Sequence, residues 1–404
     1  MRNADHGHGG KKNGSNISEY SLPFKATARP LKVPVYQTAS FHFEGIEDIE
    51  SVFSLKERSF IYTRGGNPTV NALEDEMAAL EHGKAAVAFS SGMGAIAATL
   101  MSVLKTGDHL LAADMMYGCA REFISTILGR FGVSCSFISP DSFVDLAAHL
   151  KSNTRAIYFE TPCNPTLEMI SIRSVFEQVR GKNIKIVVDN TMATPICQTP
   201  LEHGADIVVH SLTKYLNGHG DVVAGMAVVK EKGVADILKF QTMCLLGSCL
   251  DPHAAHLVSR GIKTLPIRMA QHQKNARQFI DFLRSAKYVE SVNSLSSGTI
   301  KCSQMKGVGG VLSFKLKATD KQICAILRRL QLLRLSVSYG DTEWLINYPL
   351  RMTHRIYLHK PGLSEFGKLS RLLRVSAGLE DSRPVIADFD KVCRSVLSGR
   401  KKRI

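Results

Sequence analysis

The sequence predicts an α/β fold: a mostly parallel sheet with helices on both faces, followed by a smaller α+β domain. Two observations carry this expectation. From Asn67 to about Leu265, short apolar runs alternate with amphipathic helical patterns, as parallel strands and their crossover helices do. Beyond Pro266 the order changes to a long helical stretch, then β-like runs, then helices. Composition agrees. A chain of 404 residues, 44% hydrophobic and 22% charged, is large enough to bury a core without disulfides or metals. These values exclude disordered, collagen-like and low-complexity classes.

Taken in order, residues 1–30 are polar, rich in Gly, Asn, Lys and His, and read as an arm without periodicity. Leu31 to Phe43 turns apolar and extended. Val70–His82 is helical, with Leu73, Met77 and Leu80 on one face. Ala85 to Leu104 runs twenty residues without a charge. Ser90, Ser91, Gly92 and Gly94 interrupt it, so it reads as a buried strand (Ala85–Phe89), a tight turn and a buried helix rather than a membrane span. Further strands are expected at Ala156–Glu160, Ile184–Asp189, Ile207–His210 and Val222–Val229. Met269–Ser285 is a long helix. A hairpin-like region (Gly309–Lys317, then Leu335–Tyr339) and closing helices up to Leu397 complete the second domain. There is no internal repeat. The boundaries expected are 1–66, 67–265 and 266–404.

Lys and Arg number 51 against 36 Asp and Glu, a formal charge of +15. Such a balance points toward polyanions. Its distribution does not. Arg2, Lys11 and Lys12 against Asp5, together with Arg400, Lys401, Lys402 and Arg403, carry six of the fifteen units at the chain ends. No helix-turn-helix, RNP or zinc pattern accompanies them, so a basic polyanion-binding protein is the remote reading and no specific nucleic acid is expected. Nine cysteines are scattered without CxxC pairs or zinc spacing, which reads as reduced thiols in a cytoplasm; no metal and no membrane partner are expected. The first twenty residues lack the apolar stretch of a secretory signal.

The most informative segment runs from Ile207 to Gly225. A buried strand ends in Ser211-Leu212-Thr213-Lys214. A lysine just past a strand end points into the crevice where α/β proteins hold ligands, and two hydroxyls stand ready for an anion. Upstream, a buried strand ends in Asp189, a carboxylate that is costly there unless paired. Pyridoxal 5'-phosphate (PLP) uses both: a lysine to hold it covalently and an acid to keep its pyridine nitrogen protonated. Its phosphate needs an anion cradle. The turn Ser90-Ser91-Gly92-Met93-Gly94, at a helix N-terminus, offers one, closed from the other side by Ser211 and Thr213. Each piece alone has an ordinary structural role; the three in this order in one α/β chain point to the cofactor.

The succession YTRGGNPT, SSGMGAI, YGC, ETPCNPT, VVDNT, SLTKYLNGHGDVVAG, RGIKTLPIRM, MTH and LLRVSAGLED resembles the Cys/Met metabolism PLP enzymes, the trans-sulfuration γ-family of fold-type I, from about Val33 to Leu397. The resemblance implies an aspartate-aminotransferase-like large domain with a seven-stranded sheet. It implies that Lys214 forms the Schiff base and shuttles protons, that Asp189 pairs with the pyridine nitrogen, and that Tyr117 stacks on the ring and serves as acid at the γ leaving group. Ser91, Gly92, Met93, Ser211 and Thr213 would hold the phosphate. Tyr62 and Arg64 would reach it from a neighbouring subunit, so the arm 1–66 serves the partner's site, the dimer is the minimal active unit and a tetramer is expected. Asn164 would lie beside the phenolic oxygen. Arg374 would clamp the substrate α-carboxylate with Ser338 next to it. Tyr117 would need a lowered pKa.

Two positions bear on the substrate. Cys119, in Tyr-Gly-Cys, resembles the methionine γ-lyase branch, or is a small filler. Val337 stands where cystathionine γ-lyases tend to carry Glu, which favours a short, apolar-tailed amino acid. The expected reaction is γ-elimination on methionine or homocysteine; γ-replacement on an acylhomoserine, or cystathionine γ-lyase activity, is the alternative. Several positions depart from the methionine γ-lyase pattern. Met243 and Cys244 replace a Lys-Asp pair, Tyr339 replaces a smaller Leu, and Arg351 and Arg355 flank Met-Thr-His either as surface residues or as the lining of a more anionic pocket.

Overall fold

The structure, a computed structural model, describes residues 30–54, 59–295, 304–355 and 364–398. The basic tail, Cys302 and all but the last residue of the expected polar arm lie outside the described residues. By its contacts the chain divides into Met1–Pro34 and Val35–Ile404. The second unit carries two sheets.

Seven strands form the first sheet: β1 (Ala85–Phe89), β2 (His109–Ala113), β3 (Ser134–Ile138), β4 (Thr154–Glu160), β5 (Lys185–Asp189), β6 (Ile207–Ser211) and β7 (Gly225–Val229). Their order is β1-β7-β6-β5-β4-β2-β3. Only β7 runs against its neighbours; the other pairings are parallel. Alternate residues feed two cores. Leu111, Ile157, Val188 and Val208 pack on one face, and Leu110, Ala156, Val187 and Val209 on the other. Burial on both faces is why these strands read as continuous apolar runs, each large aliphatic side chain contributing about 1.5–3 kcal/mol. The chargeless stretch is a strand, a turn and the helix Gly92–Val103. Among the described residues no helix is long and apolar enough to cross a membrane.

Strands β2 and β3 were not among those expected from sequence. His109 opens β2 fully buried, satisfied by Thr154 Oγ1 and Ser136 Oγ at 2.9 Å each, and β3 is a half-buried edge rich in Ser and Cys. Strand β7 is shorter than expected because the chain bends across Thr213, whose hydroxyl accepts from Ala224 N (3.0 Å) and donates to Ala224 O (3.3 Å). The helix Pro68–Leu80 starts where Asn67 caps it, accepting from Thr69 N at 3.0 Å.

The second sheet follows the helix Leu265–Ser285 and comprises β8 (Val289–Asn293), β9 (Val311–Leu316), β10 (Arg334–Leu335), β11 (Leu345–Asn347) and β12 (Leu372–Ser376), ordered β10-β11-β12-β9-β8. This corrects the hairpin expectation. Strand β10 spans two residues and pairs in parallel with β11, while β12 and β11 separate it from β9. Leu335 and Val337 are exposed, so their alternation does not mark a core-facing strand. LLRVS, expected within the closing helices, is the central strand β12. Fully buried Trp344 packs on Phe279, beside Phe314 and Phe389, under the closing helix Ser382–Leu397.

Candidate active site

The register brings the strand ends into one row. Glu160 pairs with Asp189, Asp189 with Val209, and Gly225 faces both Ser211 and Phe89. The carboxyl ends of β4, β5, β6 and β1 thus open on one crevice. Beyond β1, Ser91 adopts extended backbone and caps the helix Gly92–Val103, its Oγ accepting from Gly94 N at 3.0 Å. As first residues of that helix, Gly92 and Met93 have N–H groups without an intrahelical acceptor. The turn is tight on both sides. A Cβ on Gly92 would lie 2.7 Å from Ser211 Cβ, and one on Gly225 would lie 2.1 Å from Ser91 O. This helix end, faced by Ser211 and Thr213, suits a phosphate.

Lys214 follows β6. Its Nζ donates to Ser338 Oγ at 2.8 Å. Burial and the nearby Arg374 guanidinium bring its pKa down to about 8, with Asp341 acting in the opposite sense. Arg374 is buried in the middle of β12. Its Nη1 donates to Asn164 Oδ1 (3.0 Å) and its Nη2 to the carbonyls of Ser338 (3.0 Å) and Val337 (3.2 Å). Burial raises the pKa of Asp189, against the pull of the Thr191 N–H (2.9 Å) and hydroxyl, and of His210. Burial and Asp189 push Glu160 up further, although it accepts from Tyr117 N at 2.6 Å and from Asn164 N at 3.4 Å.

A cavity of about 240 Å³ brings together Ser91, Gly92, Met93, Tyr117, Asn164, Asp189, Ser211, Thr213, Lys214 and Arg374. Ser338 joins through Lys214. Besides Ser338, three expected residues do not line it. Tyr62 and Arg64 are exposed; Arg64 Nη1 donates to Cys244 O (2.9 Å), and its Cζ lies 5.8 Å from the Tyr62 ring centroid. Cys119 is exposed and touches the site through the Tyr117 hydroxyl. The lowered pKa expected for Tyr117 is not what the chain's own residues produce. Burial, the bond to Cys119 and the charge of Glu160 push it up to about 12, with only Arg374 opposing.

Several site residues escaped the sequence reading. Glu160 ends a buried apolar strand as Asp189 does, so the same argument could have found it. Thr191 follows Asp189 and binds it. Buried His354 donates from Nε2 to Met116 O (3.1 Å) and Asn164 O (3.2 Å), tying the second sheet to the first.

These residues fit PLP. Two facing carboxyls, Asp189 and Glu160, are both driven toward protonation by burial, and a pyridinium nitrogen supplies the cation that would hold Asp189 ionised. The helix end offers N–H groups and the tight glycine turn that a phosphate needs. Lys214 supplies an amine that is partly neutral near pH 7. Among the described residues, no group of three or more His, Cys, Asp or Glu could hold a metal ion.

The profile of Cys/Met metabolism PLP-dependent enzymes matches residues 22–393. The chain is 43% identical over 368 residues to an L-methionine gamma-lyase of Fusobacterium nucleatum subsp. nucleatum, covering 89% of this chain and 93% of that one. It is 37% identical over 368 residues to a cystathionine beta-lyase of Lactococcus lactis subsp. cremoris, covering 90% and 94%. Its fold superposes on the crystal structure of metB from Corynebacterium glutamicum with a TM-score of 0.83 at 33% identity, covering 91% and 94%. The chain therefore belongs to the family of Cys/Met metabolism PLP-dependent enzymes.

Proposed function

We propose that this enzyme carries out γ-elimination on a sulfur amino acid, L-methionine or homocysteine, giving 2-oxobutanoate, ammonia and a thiol. The observation that carries the reading is the convergence of Lys214 Nζ, the Tyr117 phenol and the Arg374 guanidinium on one cavity. The uncharged Val337 on the same wall favours a short apolar tail over one ending in an amino group.

Bound PLP supplies the electron sink that makes the substrate's Cα and Cβ protons acidic. The residues do the rest. Arg374 holds the substrate carboxylate with the N–H groups not spent on Asn164, Val337 and Ser338, and so fixes the orientation of Cα. Lys214 Nζ takes the Cα proton and then shuttles a proton from Cβ, whose electron pair expels the γ sulfur. Tyr117, held protonated by burial and by Glu160, gives its hydroxyl proton to the departing sulfur. Asp189 would hold the pyridine end and Asn164 the phenolic edge, while Glu160 holds the Tyr117 and Asn164 backbone N–H groups. Tyr62 and Arg64, exposed and outside their own cavity, serve the site of a second copy. The dimer is then the minimal active unit, in a tetramer located in the cytoplasm. The eight described cysteines, all unpaired, agree with that compartment.

The test is incubation of the PLP-loaded protein with L-methionine or L-homocysteine, assaying 2-oxo acid and thiol. Both products are expected, and Lys214→Ala should form neither. Thioether from an acylhomoserine plus thiol, with no oxo acid from either sulfur amino acid, would overturn elimination in favour of replacement.

A further inference from the structure

Tyr339 is a cavity wall with no assigned role, at a position where the resembled family usually has a smaller Leu. It is 9% exposed. Its ring centroid lies 5.3 Å from Lys214 Nζ and 5.1 Å from Arg374 Cζ, so the two cations of the site share one aromatic ring. The ring is firmly seated. Behind it the Tyr215 ring packs at 6.0 Å, and His272 meets Tyr215 edge-on at 5.1 Å. Gly340 has φ +79°, and a Cβ there would lie 2.6 Å from Tyr215 N; its own N–H donates to Ser376 Oγ at 3.0 Å. Ser338–Tyr339–Gly340 is therefore pressed against the backbone that carries Lys214.

An aromatic face attracts an ammonium and gives a neutral amine no comparable gain, and the effect grows when water is excluded. We propose that Tyr339 is a positioning residue for Lys214: its ring holds Nζ against Ser338 as an ammonium and so sets the pH at which the amine is free to attach PLP. The proposal rests on the reading that Lys214 carries the cofactor. The other charged and titratable groups around the amine come from several elements: Arg374 on β12, Asp341 in the loop after Gly340, Asp189 and Glu160 at the ends of β5 and β4, and the phenols of Tyr117 and Tyr215. Burial and Arg374 favour the neutral amine, Asp341 favours the charged one, and the balance stands at about 8. The ring adds to the charged side.

Only the unprotonated amine attacks the PLP aldehyde, forming the C–N bond with loss of water. The rate at which apo-protein attaches PLP, trapped by borohydride and read by mass, therefore follows the deprotonated fraction. Across a pH series the wild-type midpoint should fall near 8. Tyr339→Phe keeps the ring and should keep the midpoint. Tyr339→Leu should lower it by about half to one pH unit, so that attachment at pH 7 runs about three- to fivefold faster. If the Leu variant does not fold, Tyr339→Met, of similar reach without a π face, replaces it with the same expectation. Coincident midpoints for wild type and the Leu or Met variant would overturn the proposal, and so would a Phe variant that shifts as far as either. Lys214→Ala keeps the two readings apart: wild-type attachment in that variant would sink the lysine assignment itself.

Discussion

Gly225→Ala tests the cofactor cradle without touching a functional group. Gly225 opens β7 between Phe89 and Ser211 with ordinary backbone torsions, so alanine is conformationally allowed and its effect is steric. The added Cβ would lie 2.1 Å from Ser91 O, 2.5 Å from its carbonyl carbon and 2.8 Å from Gly92 N, all backbone atoms. Ordinary contact would require the Ser91–Gly92 peptide to retreat by about 1 Å. It has nowhere to go, because Ser211 closes the other side of Gly92. The first N–H groups of the helix must then turn away from the phosphate position. Losing one charge-assisted hydrogen bond there costs about 2 kcal/mol, or about 30-fold in PLP affinity. Overpacking should lower the stability of the apo-protein by about 1–3 kcal/mol. Titrating apo-protein with PLP and following denaturant unfolding measure the two effects. Gly233→Ala is the control, since a Cβ there meets nothing within 4 Å. Binding of PLP by Gly225→Ala at near wild-type affinity, with unchanged stability, would refute the cradle as described.

Two further outcomes are expected. If Tyr62 and Arg64 serve a neighbouring copy, Arg64→Ala and Lys214→Ala, each inactive alone, should regain activity when unfolded and refolded together. About a quarter of the sites would then be intact; verified hybrid dimers without activity would remove the in-trans reading. The buried imidazoles His272 and His354 are held neutral, burial bringing each pKa down to about 4. Below the ordinary value near 6.5 the unfolded chain binds protons that the folded chain refuses. Stability should therefore be complete above about pH 6.5 and decline toward pH 4, by up to about 3 kcal/mol per imidazole. Unfolding titrations between pH 7 and 4.5 should show a slope shallower by up to one proton in His272→Phe than in wild type, and an unchanged slope would refute the assignment.

The site residues that could be read from sequence are those whose placement is local. Ser91, Gly92, Asp189, Ser211 and Lys214 all stand within a few residues of a buried strand's end, and in a parallel sheet those ends share one edge. Glu160 was readable by the same rule. Arg374 is of another kind. A five-residue strand between helical patterns has no periodicity long enough to declare itself, and only pairing with β9 and β11 makes LLRVS a strand. The place of the Tyr339 ring between Lys214 and Arg374 depends on chain segments far apart in sequence. Tyr62 and Arg64 cannot be placed from one copy of the chain, because neither lines its own cavity.

The joint between the two sheets bears on how the site works. Asn164 sits where they meet. Its side-chain oxygen accepts from Arg374, its carbonyl from His354, and its N–H donates to Glu160, which also takes the Tyr117 N–H. Gly118 presses so close to Thr353 O that a Cβ would lie 2.3 Å from it. The guanidinium proposed to hold the substrate is thus tied, through one buried amide, to the carboxylate that orients the proposed acid. A hinge between the sheets would have to break several buried hydrogen bonds at once, each costly to leave unmade. Clamp, acid and amine therefore form a preorganised set in which substrate orientation comes from fixed dipoles rather than from domain closure. Asn164→Ala should then be felt first at Arg374, as a rise in KM for the amino acid, before any loss of cofactor. The reverse order, PLP lost while KM is preserved, would place Asn164 with the cofactor alone and detach the clamp from the acid.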